Sequence, residues 1–213
     1  MIPFPDDVVV TAVIADGDSD AVVRLLSRSR GRVGAFARRA RASRKRFPGL
    51  GAPSLGVAGL KERHAADLME LTEIDIDPKI LGLANDLRAL AHASYLCELV
   101  ERFLPEHEPA PEIFAMIDGA IRMISTAPSA VLLRAVELKM LLFMGYLPDL
   151  HETDLPPVAQ TLVHADLHAL PAVDEDTLRA VGRLFAGHLK QHGGPPLKSV
   201  AFLDAVARAP RSR

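Results

Sequence analysis

The period of the apolar residues changes at Pro78, and that change limits the chain to a β module followed by a helical one. Before Pro78 the apolar segments are short, rich in β-branched residues and separated by turn residues: VVVTAVIA, AVVRLLS, RVGAFA, SLGVAGLKE and DLMELTEIDI. Asp16, Gly17 and Asp18 form the first turn and Arg28 to Gly31 the second, so the opening three strands form a meander. The polar, aperiodic stretch RRARASRKRFPGLGAPS predicts a loop. Five strands ahead of Pro78, with Gly34, Gly51, Gly56 and Gly59 available for bends, predict a small barrel.

Beyond Pro78 the apolar residues recur at helical spacing. In KILGLANDLRALAHASYLCELVERFLP, Leu83, Leu87, Leu90, Ser94 and Cys97 form one stripe, which Leu96, Leu99, Val100 and Phe103 broaden. This helix is expected to be buried on much of its circumference. EIFAMIDGAIRMIS predicts a helix starting near Pro111, and PSAVLLRAVELKMLLFMGY one headed by Pro128 with Gly145 near its end. Residues 148–172 hold Pro148, Pro156, Pro157 and Pro171 and show no helical period, so they are expected to be irregular. DEDTLRAVGRLFAGHLKQH and LKSVAFLDAVAR predict two more helices. GGPPLKS between them lacks the glycine before Lys198 that a phosphate loop needs and reads as an inter-helix joint, with Pro195 and Pro196 stopping one helix. The expected fold class is α+β, with a five-stranded barrel domain at 1–78 and an all-helical domain at 79–213.

Of the 213 residues 49% are apolar, enough for one sizeable core or two smaller ones. No apolar run approaches the ~20 residues of a membrane-spanning helix. The opening MIPFPDDVVV lacks a basic leader and a long apolar stretch, so the expected location is the cytoplasm. Cys97, the one cysteine, can form neither an intramolecular disulfide nor a cysteine-based zinc site, and among leucines it reads as an inert core residue.

A net charge of −2, from 25 basic and 27 acidic residues, argues at first against a nucleic-acid binder. The average conceals a strong polarity. Between residues 24 and 46 stand Arg24, Arg28, Arg30, Arg32, Arg38, Arg39, Arg41, Arg44, Lys45 and Arg46 with no acid among them. From 80 to 196, by contrast, 8 basic residues face 15 acidic ones. Local fields, not the total, govern what a phosphate feels within a Debye length of ~8 Å.

On a strand, Arg30, Arg32, Phe36 and Arg38 share one face while Val33, Ala35 and Ala37 point into the barrel. The loop beyond adds Arg39, Arg41, Arg44, Lys45, Arg46 and Phe47. Such a stripe supplies cations for phosphates and rings on which a base can stack. A merely solvated face would leave ten cations repelling one another. With no tryptophan and few other aromatics, phosphate contact should outweigh stacking, and base-sequence preference should be weak.

Other chemistry is less well supported. His151, Glu152, Asp154, His164, Asp166 and His168 could offer ligands to a divalent metal, but no metal-binding spacing of the HExxH kind is present. Ser27, Ser29 and Ser43 lack any nucleophile-elbow motif. Met140 and Met144, set among Leu141, Leu142 and Phe143, read as core, or else as a groove for an apolar peptide.

Four collinear blocks carry a resemblance: DGDSDAVVRLLSRSRGRVGAFARRARASRKRFPG, LANDLRALAHASYLCELVERFLPEHEPAPEIF, LLRAVELKMLLFMGYLPDL and GGPPLKSVAFL. Together they resemble the bacterial RecO recombination mediators. The resemblance implies an N-terminal OB-fold, a helical C-terminal domain and a non-enzymatic role in repair by the RecF pathway. It further implies binding of single- and double-stranded DNA, annealing of complementary strands, and RecA loading together with RecR and the single-stranded-DNA-binding protein, in the cytoplasm at the nucleoid. The family's basic DNA-binding region falls on the arginines from Arg30 to Arg46. One departure stands out: many relatives carry a four-cysteine zinc site after the segment matching MGYLPDL, and no cysteine follows it here. No cofactor is therefore expected. Two other readings compete, a protein-interaction adaptor whose barrel no longer binds DNA and a metal-dependent hydrolase built on the histidine cluster.

Overall fold

A computed structural model describes residues 2–63, 67–153, 155–192 and 196–209, without the side chains of Glu152 and His192. The alternating segments form β1 (Phe4–Asp16), β2 (Asp20–Ser27), β3 (Gly31–Ala37), β4 (Ser54–Lys61) and β5 (Met69–Ile76). They close a barrel in the order β1-β2-β3-β5-β4, with β4 returning to β1. Every pairing is antiparallel except that of β3 with β5. This five-stranded barrel has the OB-fold arrangement.

Period-2 alternation sends Val8, Val10, Val23, Leu25, Val33 and Ala35 into the barrel interior, where Leu60, Leu71 and Ile74 complete the packing. Val9, Leu26 and Leu55 face outward instead and join the core of the helices. One flank of the barrel is thus covered by helix, and the outer face of β1, β2 and β3 beyond it stays open.

The helical part comprises α1 (Leu87–Phe103), α2 (Pro111–Thr126), α3 (Ala130–Phe143), α4 (Pro157–His164), α5 (Glu175–His192) and α6 (Lys198–Arg208). The breadth of the apolar surface on α1 has a simple cause: it packs on the barrel and on other helices at once, with Leu96, Leu99 and Val100 in the shared core. Cys97 is buried there, and burial pushes its thiol up to about 12, which keeps it protonated. On α3, Glu137 is fully buried and accepts hydrogen bonds from the Tyr95 hydroxyl of α1 and from Arg134. No helix among the described residues is long and apolar enough to cross a membrane.

Two sequence expectations need correction. The helix expected from residue 79 begins only at Leu87, because the Asp86 carboxylate accepts from the Arg88 and Ala89 backbone N–H groups and caps α1 there. Pro78–Asn85 is a separate 3-10 segment. The stretch expected to be irregular contains α4, started by Pro157 and anchored by Ala159, Leu162 and Val163 against Ala135, Leu138 and Val181. Eight residues between proline-rich flanks are too few to display a helical period. Pro195, placed in the joint after α5, lies outside the described residues.

Candidate nucleic-acid interface

The β3–β4 loop is held at both ends. Arg39 sits in the left-handed region at φ 57° and donates its backbone N–H to the Asp20 carboxylate at 2.7 Å. The Arg41 N–H reaches the Ser19 carbonyl at 3.0 Å. These bonds fasten the start of the loop to the β1–β2 turn. A helical turn follows, with the Ser43 N–H on the Arg39 carbonyl at 2.9 Å and the Phe47 N–H on the Ser43 carbonyl at 3.1 Å. Phe47 then plugs the barrel, only 4% exposed, and the Arg46 carbonyl accepts from the Ile74 N–H of β5 at 2.9 Å. Arg46 lies over the Phe47 ring at 5.0 Å and donates from Nη2 to the Arg38 carbonyl at 2.8 Å.

The result is a closed, ordered hoop with its cations outside. Arg38, Arg39, Arg41, Arg44 and Lys45 are exposed and Arg46 is half-buried. Among the described residues, no carboxylate forms an ion pair with any of these six. Six neighbouring cations repel one another, and the backbone bonds of the hoop oppose that repulsion.

The other four cations of the run are not in that condition, which corrects the expectation of ten unneutralised charges. Arg24 pairs with Glu101 at 2.8 Å, and Arg28 with Asp7 at 2.9 Å. Arg30 pairs with Glu62 at 2.8 Å and lies over Phe4; it stands in the β2–β3 turn, not on the strand. Arg32 does face outward from β3, but its side chain is only 17% exposed. It meets Glu106 at 2.9 Å and donates to the Leu104 carbonyl at 2.8 Å. The acids come from β1, from the end of β4 and from α1 with the segment after it, so no local window of sequence could reveal them.

Phe36 takes the outward position on β3 and is half-buried. Register sets it beside Val22, and Val22 beside Ile14, in one row across three strands. Ile14 is 46% exposed. The row is an apolar strip on the open face, and Arg38 stands in the turn just past the end of β3, two residues beyond Phe36. Ile14 and Val22 were not among the sequence-derived site residues, although strand alternation carried the signal. Phe47, expected as a second stacking ring, belongs to the barrel core.

The histidine cluster is dispersed. His164 ends α4 while His168 occupies a separate turn capped by Asp166, and His151 faces Gln160 at 3.1 Å. Asp154 lies outside the described residues. Among the described residues no three His, Cys, Asp or Glu side chains are placed to hold a metal ion. Cys97, the one cysteine of the chain, is buried in α1, away from these histidines in sequence.

Comparison with known proteins agrees with this architecture. Residues 1–76 match the family model described as Recombination protein O N terminal, and residues 84–153 match Recombination protein O C terminal. The DNA repair protein RecO of Anaeromyxobacter dehalogenans (strain 2CP-C) is 38% identical over 144 residues, covering 67% of this chain and 57% of the relative. That of Pelobacter propionicus is 34% identical over 146 residues, covering 66% and 58%. That of Bacillus pumilus is 29% identical over 137 residues, covering 64% and 53%. The chain thus spans somewhat over half the length of the curated relatives it matches. With both family models aligned in order on a barrel and the helices that follow it, the chain belongs to the RecO family of DNA repair proteins.

Proposed function

We propose that this protein is a non-enzymatic DNA-binding factor of recombinational repair in the RecF pathway. It grips phosphates through Arg38, Arg39, Arg41, Arg44, Lys45 and Arg46 and stacks a base on Phe36. The observation that carries the reading is the ordered hoop of cations, unpaired with acids among the described residues and set beside an outward aromatic on an OB-type barrel. An aliphatic and aromatic strip flanked by guanidinium groups is the combination that single strands require. Arg30 and Arg32, engaged with carboxylates, stand outside the primary path.

The mechanism is electrostatic. Cations on the hoop neutralise phosphates of two strands and reduce their mutual repulsion, so that complementary bases can meet and anneal. Both single- and double-stranded DNA are ligands, because phosphate contact does not depend on pairing. RecR and the single-stranded-DNA-binding protein are its partners in loading RecA, with the helical part supplying the protein-binding surface, in the cytoplasm at the nucleoid.

The deciding experiment is charge reversal at Arg38, Arg39, Arg41 and Arg44 in the full chain. Binding should weaken whatever the base sequence, and the slope of log K against log salt should flatten by about 0.7 for each single-strand phosphate that is no longer neutralised. Unchanged binding and annealing would overturn the reading. An adaptor would show no appreciable DNA affinity even at low salt.

A further inference from the structure

Glu101 of α1 lies at the edge of the open barrel face, only 14% exposed, and three barrel residues converge on it. The Thr11 hydroxyl donates to Oε1, Arg24 Nη1 stands 2.8 Å from Oε2, and Arg32 Nη1 stands 3.6 Å from the same oxygen. The partners differ in one respect. Thr11 is buried and Arg32 is 17% exposed, whereas the Arg24 side chain is 48% exposed. Arg24 follows Val22 by two residues on β2, so it shares the outward face with the apolar strip, roughly 7 Å further along the strand. Opposite Arg24 on β3 is Gly34, two residues before Phe36 on that same outer side.

From this geometry we infer that Arg24 is a further phosphate-binding residue of the same face, and that Glu101 is an internal anion competing with the nucleic acid for it. The inference rests on the DNA-binding reading above and concerns a single strand crossing β3 and β2 from the Arg38 end toward the helices. When a backbone phosphate reaches Arg24, the guanidinium turns from Glu101 to the phosphate. The carboxylate is not stranded, because Thr11 and Arg32 remain beside it. A mostly buried acid with a reserve cation can release one partner without leaving a bare charge. That distinguishes it from the Arg28–Asp7 pair, where both side chains are half exposed and Asp7 has no second cation among the described residues.

The test uses a labelled oligothymidylate and the full chain at several salt concentrations. Glu101→Gln keeps an oxygen for Thr11 and removes the competing charge. It should tighten binding by about two- to fivefold, the range of a surface ion pair, and steepen the salt slope by about 0.7. Adding Arg24→Ala to E101Q should abolish both gains and bring binding down to that of R24A alone. An unchanged slope in E101Q, or a gain that survives the added R24A, overturns the inference. Should E101Q loosen the barrel–helix joint, visible as a lowered melting temperature, R24A alone decides. It should weaken low-salt binding by about two- to fivefold, and unchanged binding there overturns the inference. Failure of the hoop charge reversal to weaken binding would strike the underlying reading instead. Weakened binding in that reversal with no effect of E101Q removes only the role of Glu101 and Arg24.

Discussion

Arg46 holds the carbonyl of Arg38 at 2.8 Å, so the residue that closes the cationic hoop also fixes the residue that opens it. The guanidinium serves two ends at once, since its plane lies over Phe47, which is anchored in the barrel. Lysine cannot reproduce both contacts. Arg46→Lys keeps the charge and should leave the salt slope of DNA binding unchanged. Denaturant unfolding should show a loss of about 1 kcal/mol from the missing hydrogen bond and ring contact.

Phe36 makes the opposite separation. Phe36→Ala removes a ring and no charge, so single-strand affinity should fall by about 1–3 kcal/mol while the salt slope stays constant. A fluorescence titration at two ionic strengths reads both quantities. Unchanged affinity at both ionic strengths would place Phe36 outside the strand path.

Phe47 should behave as core. Its ring is 4% exposed among Val10, Leu25 and their neighbours, and truncating such a side chain leaves a cavity. Phe47→Ala should cost about 3–5 kcal/mol in denaturant unfolding. The hoop it anchors should then become sensitive to trypsin, which cleaves at its exposed arginines.

Gly31 opens β3 at φ 69°, and a Cβ built there would stand 1.9 Å from the Glu108 carbonyl oxygen. Two penalties therefore coincide, a strained backbone and a collision with the segment after α1. Gly31→Ala should destabilise the protein by on the order of 2–4 kcal/mol in denaturant unfolding. Gly17→Ala, in open space at a similar φ, isolates the backbone penalty and should cost about 1 kcal/mol.

Glu98 makes the docking of α6 dependent on pH. Burial pushes its carboxyl up, but hydrogen bonds from the Ser199 hydroxyl, the Ser199 N–H and the Lys198 N–H outweigh that and hold it below the usual value of 4.5. A carboxyl with a depressed folded pKa stabilises above its unfolded pKa, and the contribution is lost as pH falls through the folded value. Stability should thus decline on acidification below about pH 4.5 and the decline should be smaller in Glu98→Gln, measured by denaturant midpoint against pH.

The five strands could be read from the sequence because their apolar segments are short and bounded by turn residues, and alternation, clearest at 33–37, reports which side of a strand faces the barrel interior. The long helix was legible from its apolar period, but its true start was not. Asp86 is one capping residue inside an apolar stretch, and the period alone runs past it. Within the site, the exposed cations of the hoop followed from composition and turn residues, whereas the separation of free from neutralised charge did not.

Apolar periodicity and local charge are properties of neighbouring residues, so the order of amino acids was enough to specify a barrel followed by helices, with arginine concentrated on the barrel. Which of those arginines stay open to a ligand depended on the folded arrangement. Glu101, Glu106, Glu62 and Asp7 reach Arg24, Arg32, Arg30 and Arg28 from elements remote along the chain, and Coulomb attraction follows distance in space, not separation in sequence.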